Sequence, residues 1–575
     1  MAPSRPNSCN AAGCRLMPPN QAPPAALTVA EAVAAVLDAH GTDTAFGVIS
    51  VHNMPMLDAV SRRGRIRFVP ARGEAGAGNM ADGWARVTGR LGALVTSTGP
   101  GAANAAGALL EARFAGTPVL HVTGQTATPH LDQDRGCVHD TSDQLSMLRA
   151  VSKAAYRILS PEAAPGILAT AAAEALTAPM GPVSVEIPID LQGARLSRAY
   201  ETDEFKPSRG LARAPAADAL DRLANDILAS RRVLLWLGSG AIGAGDATTR
   251  LAEMGIGVVT SMHGRGVLSE DHAMTLGALN ATPEIESFYE TVEAMIVAGS
   301  RLRGHETRDF GLRLPKRRFQ IDVDPMAEGR TYPCESFICG DAALALGGLA
   351  DRLAGRFAPD PAFAGDLAAA RAKATQAYRH SLGIYAEFAD LMRAALPRRS
   401  VWVRDITLSN STWGNRLFPL QAPRDNVYPV GAGIGQGLSL GVGAAMGAGN
   451  RKTVALCGDG GLMLNLGELW TAVQERADLV VLLMNDRGYG VIRNIQDTQY
   501  DGRRCYADLA LPAFDRLAQS AGLPYFRIGG LGDVALAMGG ALGVNGPALV
   551  EVDMTALGLF PSQFAPPPVV PRGGR

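Results

Sequence analysis

Three times along this chain, short apolar runs alternate with stretches of helical periodicity. No other feature constrains the fold as much. A buried strand that returns to its own sheet through a helix pairs in parallel, with helices covering the sheet faces. Runs at 93–96, 118–121 and 183–186 belong to a first block, 27–193. Runs at 232–237, 258–260, 294–298 and 319–323 belong to a second, 214–353. The third block, 378–556, carries runs at 453–457 and 477–484. The expected fold class is α/β, with three doubly wound parallel-sheet domains. A length of 575 residues, too great for one core, agrees with three.

Boundaries inside the blocks are locally signalled. Thr28 reads as the N-cap of a helix with Glu31 in its first turn and Gly41 as its stop. Residues 1–26 are rich in Pro, Ala and Asn and lack an apolar core segment. They read as a disordered tail rather than a secretory signal, with Met17 as an alternative start. No run is long and charge-free enough to span a bilayer, so no membrane partner is expected.

Charge and cysteine usage exclude other classes. The formal net charge is -1, and no basic stripe with interleaved aromatics appears, so nucleic acid is not an expected partner. The seven cysteines are scattered without CxxC spacing, which argues against a zinc site or disulfide framework and for a reducing, cytoplasmic setting.

The third block concentrates chemistry. A buried strand ends at Cys457, Gly458-Asp459-Gly460-Gly461 turns the chain, and 462–475 reads as one amphipathic helix. The next strand ends in Asn485-Asp486-Arg487-Gly488. In a parallel sheet both strand ends point the same way, so Asp459 and Asp486 can meet at the carboxyl edge, where open α/β sheets bind ligands. Two carboxylates and a backbone carbonyl, that of Gly488, leave octahedral positions for water and phosphate, the preference of magnesium. Gly458, Gly460 and Gly461 free backbone N–H groups at a helix start, a site suited to diphosphate.

A GDG turn followed 27 residues after its Asp by an Asn-Asp pair and Gly resembles the signature of thiamine-diphosphate enzymes. The first block agrees. Arg72-Gly73-Glu74 and Ala81-Asp82-Gly83-Trp84-Ala85-Arg86 resemble the same family's catalytic-acid stretch, with Glu74 at the catalytic position. Its carboxyl group would hydrogen-bond the cofactor's pyrimidine ring and take part in proton transfer there. Gly99 and Gly101 fall in a Gly-rich turn of that family, and Ile434 at the position of a bulky residue that bends the cofactor. Core packing is the rival reading of Ile434.

The resemblance covers nearly the whole chain and is nearest to acetolactate synthase-like enzymes. It implies thiamine diphosphate and Mg2+ as cofactors, a small-molecule 2-oxo acid as substrate, and an active site shared between subunits. A homodimer is then the minimum and a homotetramer the expected assembly. The implied activity is decarboxylation with carboligation to a second carbonyl. A simple 2-oxo acid decarboxylase is the alternative, and a non-catalytic cofactor-binding homologue a third reading.

Departures from the family pattern sit at the substrate end. Asp486 stands where Asn is usual, and Gly73 where His is usual. Val51 and His52 replace small residues, His139-Asp140-Thr141 replaces Phe-Gln-Glu, and Ile495 stands where a Trp selects the larger acceptor. Val51, His52, His139 and Ile495 are thus the candidate substrate-pocket residues. Each histidine reads equally as a pocket acid–base or as a structural group.

The central block carries Gly238-Ser-Gly-Ala-Ile-Gly243, a GxGxxG pattern. No acid closes the next strand, so it reads as a turn into a helix rather than a nicotinamide dinucleotide site. FAD on this block is left open: Gly299-Ser-Arg-Leu302 and Asp322-Val-Asp-Pro325 are shared by flavin and non-flavin relatives.

Overall fold

The computed structural model describes residues 26–206 and 212–560. Residues 1–25 of the expected tail, with Met17, lie outside them. The first sheet comprises β1 (Thr44–Gly47), β2 (Arg67–Pro70), β3 (Gly92–Thr96), β4 (Val119–Gln125), β5 (Ala154–Arg157) and β6 (Val183–Pro188), in the order β2-β1-β3-β4-β6-β5. The second comprises β7 (Val233–Leu237), β8 (Gly257–Thr260), β9 (Ala294–Ala298), β10 (Arg317–Asp322) and β11 (Ser336–Cys339), in the order β11-β10-β9-β7-β8. The third comprises β12 (Val401–Arg404), β13 (Asn426–Val427), β14 (Thr453–Gly458), β15 (Leu479–Asn485), β16 (Tyr525–Ile528) and β17 (Ala548–Asp553), in the order β13-β12-β14-β15-β17-β16.

Neighbouring strands within each sheet run parallel. The central strands are buried along nearly their whole length because helices cover both faces. The first and third sheets share one strand order when each is numbered from its own start. Their cores merge, and residues such as Met80, Trp84, Leu440 and Val442 belong to one apolar cluster.

That merger runs through two helices, Glu74–Thr88 after β2 and Gly437–Gly447 after β13. They touch backbone to backbone. A Cβ at Gly83 would stand 2.3 Å from the Leu440 carbonyl oxygen. Glycine is required there for want of space rather than for its dihedral freedom.

The opening helix, Val29–Ala39, is capped as expected: Thr28 and Glu31 form a reciprocal capping box. The single helix expected over 462–475 is instead two, Asp459–Leu464 and Glu468–Gln474. Asn465 leaves helical geometry and its Nδ2 donates to the Gly435 carbonyl at 2.7 Å. Gly467 then passes the Arg72 side chain. The break delivers Glu468 to the turn before Glu74.

Candidate active site

Register brings the two expected metal carboxylates together. Gly458 at the end of β14 pairs with Met484 of β15. Asp459 and Asp486 therefore leave adjacent strands one residue apart in register. Asp459 is 1% exposed. Its Oδ1 accepts from the Gly460 N–H at 2.7 Å and its Oδ2 from the Gly488 N–H at 2.9 Å. Burial raises its pKa while those N–H groups oppose the rise. Gly488 is thus tied to Asp459 through its nitrogen, at a φ of 153°.

Asp486 brings a partner that the sequence reading missed. Arg493, on the first turn of the helix Gly490–Gln499, lies 3.1 Å from Asp486 Oδ1 and donates to the Asp486 carbonyl at 2.6 Å. Burial, then repulsion from Asp459, pushes the Asp486 pKa up to about 7, and Arg493 opposes both. The donor set at this edge is oxygen only, which suits a hard cation such as Mg2+. Among the described residues no three His, Cys, Asp or Glu side chains cluster as a metal cage. Two carboxylates with backbone and phosphate oxygens fit the magnesium preference for few protein ligands.

The glycines of the turn are hemmed in by the protein itself. A Cβ at Gly458 would meet Thr407 at 2.9 Å, at Gly460 the Tyr489 ring at 2.6 Å, and at Gly461 Asp405 Oδ2 at 2.8 Å. Asp405, just past β12, was not singled out from sequence. It is buried, its pKa is pushed up to about 6 by burial, and it accepts from the Gly435 N–H at 2.9 Å. It pins one side of the loop that carries Ile434. Glu111 of the first domain pins the other, accepting from the Val430 and Gly431 N–H groups at 2.6 and 2.8 Å. Ile434 itself is 44% exposed, which argues against the core-packing reading.

Glu74 opens its helix, half-buried. Its Oε2 accepts from Asn104 Nδ2 at 3.2 Å. Gly101 is close enough that a Cβ there would stand 3.1 Å from Glu74 Oε1. Gly99 has a φ of 55°, and a Cβ would stand 2.2 Å from the His139 carbonyl oxygen. The Gly-rich turn thus joins Glu74 on one side to His139 on the other. Gly73 is extended, and the space beside it is open. Glu468, buried, accepts from the Arg72 N–H at 3.1 and 3.2 Å and from the Thr471 hydroxyl at 2.6 Å. It fastens the Glu74 turn to the third domain.

His52 and His139 meet. Their ring centroids are 5.2 Å apart, tilted by 37°. Ser97 Oγ links the pair to the turn, 3.2 Å from His139 Nδ1 and 2.7 Å from Ser50 Oγ. His52 Nδ1 is buried without a hydrogen-bond partner, and burial, then His139, lowers the His52 pKa. Val51 is 64% exposed beside them. Ile495 belongs to the third-domain helix that carries Arg493, where it is half-buried.

The central sheet carries a cavity of about 400 Å3 at its carboxyl edge, lined in part by Gly238, Gly240, Gly299, Arg301 and Asp322. The first two glycines of the GxGxxG pattern are explained by packing, while Gly243 has no atom within 4 Å of its Cβ position. A Cβ at Gly238 would stand 2.2 Å from the Gly299 carbonyl oxygen, and one at Gly240 2.8 Å from the Gly299 Cα. A short turn over Ser239–Ala241 then leads to the helix Gly245–Glu253, as expected.

Comparison with known proteins adds three family matches. Residues 27–147 match the N-terminal TPP binding domain of thiamine pyrophosphate enzymes, 220–349 their central domain and 408–552 their C-terminal TPP binding domain. A Pseudomonas aeruginosa protein named "Probable 2-ketoarginine decarboxylase AruI" is 33% identical over 477 residues, covering 82% of this chain and 84% of that one. The acetolactate synthase large subunit of Corynebacterium glutamicum is 26% identical, covering 88% and 83%. Acetolactate synthase isozyme 3 large subunit of Escherichia coli is 26% identical, covering 94% and 97%.

Proposed function

The chain belongs to the thiamine pyrophosphate enzyme family, and from that premise we propose that it decarboxylates a 2-oxo acid to an aldehyde and CO2. The C1–C2 bond breaks, CO2 leaves, and a proton takes its place on C2. When bound, thiamine diphosphate supplies the carbon nucleophile and the electron sink. Asp459, Asp486 and the Gly488 carbonyl would hold Mg2+. Gly458, Gly460 and Gly461 would flank the diphosphate, and Ile434 would support the bent cofactor. Glu74 would stand at the pyrimidine end as the carboxyl that takes part in proton transfer.

The observation that carries protonation over carboligation is the His52–His139 pair. Aldehyde formation needs a proton donor at the reacting carbon, and two imidazoles stand together beside the Gly-rich turn. His52, with a lowered pKa, is neutral at neutral pH and is the group of the pair suited to proton transfer. The 33% identical relative is named a decarboxylase, which supports the same reading. Carboligation, favoured by the acetolactate synthase relatives, is the second reading.

The substrate class we assign is a 2-oxo acid with a cationic side chain. The relative's name points there. So does Asp140, next to His139, whose Oδ2 is buried with no hydrogen-bond partner. In the central cavity Arg301, Arg303 and Arg330 are matched by Glu306, Asp322, Asp324 and Asp341, and Arg330 pairs with Asp324, so FAD there rests on the resemblance alone. Flavin absorbance of the purified protein tests that. Exposed Ile434, Leu464, Val51 and Val138 support a homodimer as the minimum unit, checked by sedimentation. Among the described residues no helix is long and apolar enough to cross a membrane.

The test is CO2 release with thiamine diphosphate and Mg2+ across pyruvate, phenylglyoxylate and 5-guanidino-2-oxopentanoate, with products identified. Aldehyde from the guanidino acid is the expected result, with loss of aldehyde formation in H139F. A 2-hydroxy ketone or acetolactate-type product from any of them replaces the proposal with carboligation.

A further inference from the structure

Asp486 is ionisable where the family's usual asparagine is not, and the structure places a cation against it. We propose that Arg493 is a built-in counter-ion to Asp486, so that the pair enters the metal–diphosphate site with the net charge of a neutral ligand. The inference rests on reading this sheet edge as the metal site.

Three observations carry it. Arg493 Nη2 contacts Asp486 twice, at Oδ1 and at the backbone carbonyl, 3.1 and 2.6 Å away. Both side chains are largely withdrawn from solvent, at 16% and 13% exposure, so the pair is weakly screened. The other guanidinium nitrogen, Nη1, lies 3.3 Å from Asp508 Oδ1. Asp508 in turn bridges to Gly488, the residue whose N–H holds Asp459. Arg493 therefore reaches both sides of the loop that carries the proposed ligands.

The charge balance gives this consequence. With two ionised aspartates alone, a divalent cation would be fully neutralised before the diphosphate arrived. The anionic diphosphate would then meet no net positive charge. Arg493 restores one positive charge, which is what an Asp–Asn pair around the same cation would leave; Asp508, at 80% exposure, is screened by water and offsets little of it. Uncompensated charge in a desolvated site is costly, so the aspartate and the arginine must act together.

The test is a double-mutant cycle on the full chain, stripped with EDTA and then supplied with saturating Mg2+. Thiamine diphosphate affinity is measured by titration calorimetry for the wild type, D486N, R493M and D486N/R493M. R493M is expected to weaken binding by about tenfold or more. The same change in the D486N background should cost less than about threefold, leaving the double variant near the wild type. R493K, which keeps the charge, should bind more tightly than R493M, and unfolding curves without ligand check that each variant is folded. Equal weakening by R493M in both backgrounds would mean that Arg493 acts on the cofactor independently of Asp486, and would overturn the proposal. Absence of Mg2+-dependent binding to the wild type would remove the reading of the metal site and the proposal with it.

Discussion

Gly443 lies so close to Met80 that a Cβ on Gly443 would stand 1.9 Å from the Met80 carbonyl oxygen. The contact joins the Gly437–Gly447 helix of the third domain to the Glu74–Thr88 helix of the first. The helix that begins with Glu74 is thereby seated directly on the domain that carries Asp459. G443A or G83A should each destabilise the protein by about 1–3 kcal/mol or more, because backbone must move to admit the methyl group. G365A, at a helical glycine with no atom within 4 Å of its Cβ position, should be neutral or stabilise by up to about 1 kcal/mol. Urea unfolding of the three variants checks the contrast.

Glu74 accepts a side-chain hydrogen bond from Asn104 and opens the helix Glu74–Thr88. E74Q keeps the shape and loses the acid. Turnover should fall by about 10²–10⁴-fold, the usual worth of a positioned acid–base group. Cofactor binding, followed by calorimetry, should persist in the variant. Undiminished turnover would remove Glu74 from the chemistry.

Glu468 holds the turn before Glu74 through the Arg72 N–H and closes on the Thr471 hydroxyl. E468A leaves both donors without their acceptor and should cost about 1–3 kcal/mol. E468Q retains one acceptor oxygen and should cost less. Thermal unfolding of the two variants provides the measurement.

His121 is buried in the first sheet between Thr96 and Ser184, each at 2.9 Å from a ring nitrogen. Burial pushes its pKa down from 6.5 to about 3. The folded state therefore binds fewer protons than the unfolded chain between those values. The stability that His121 brings is complete above pH 6.5 and is lost as pH falls toward 3, at about 1.4 kcal/mol per pH unit. Urea unfolding between pH 6.5 and 4.5 should show a shallower acid loss in H121Q than in the wild type. Identical slopes would place the acid sensitivity elsewhere.

Much of the scaffold is legible in single segments. The run 294–298 is β9 to the residue, because five apolar residues in a row have only a doubly covered strand to occupy. Thr28 and Glu31 announce a helix start because both halves of a capping box lie within one turn. Asp459 and Asp486 lie at one sheet edge, as their spacing predicts, since adjacent parallel strands bring their ends together.

What escaped sequence reading was partnership across distance. Arg493 lies seven residues from Asp486, yet the interaction depends on the tight start of a helix at Gly490, where a Cβ would stand 1.9 Å from Asp486 Oδ2. Glu111 and Val430 are 319 residues apart, and Arg72 and Glu468 are 396 apart. The break at Asn465 is equally invisible locally, because a carbonyl from Gly435 draws that side chain out of the helix.

The sequence by itself determined three parallel sheets and the residues at their carboxyl edges, because hydrophobic period and glycine turns act over a few neighbouring residues. Tertiary structure alone decided which charges meet and which groups pin the Glu74 and Ile434 loops. It also decided that His52 and His139 stand together. Those outcomes depend on packing between distant segments, where a one-residue shift or an added methyl group changes which atoms come within hydrogen-bonding range.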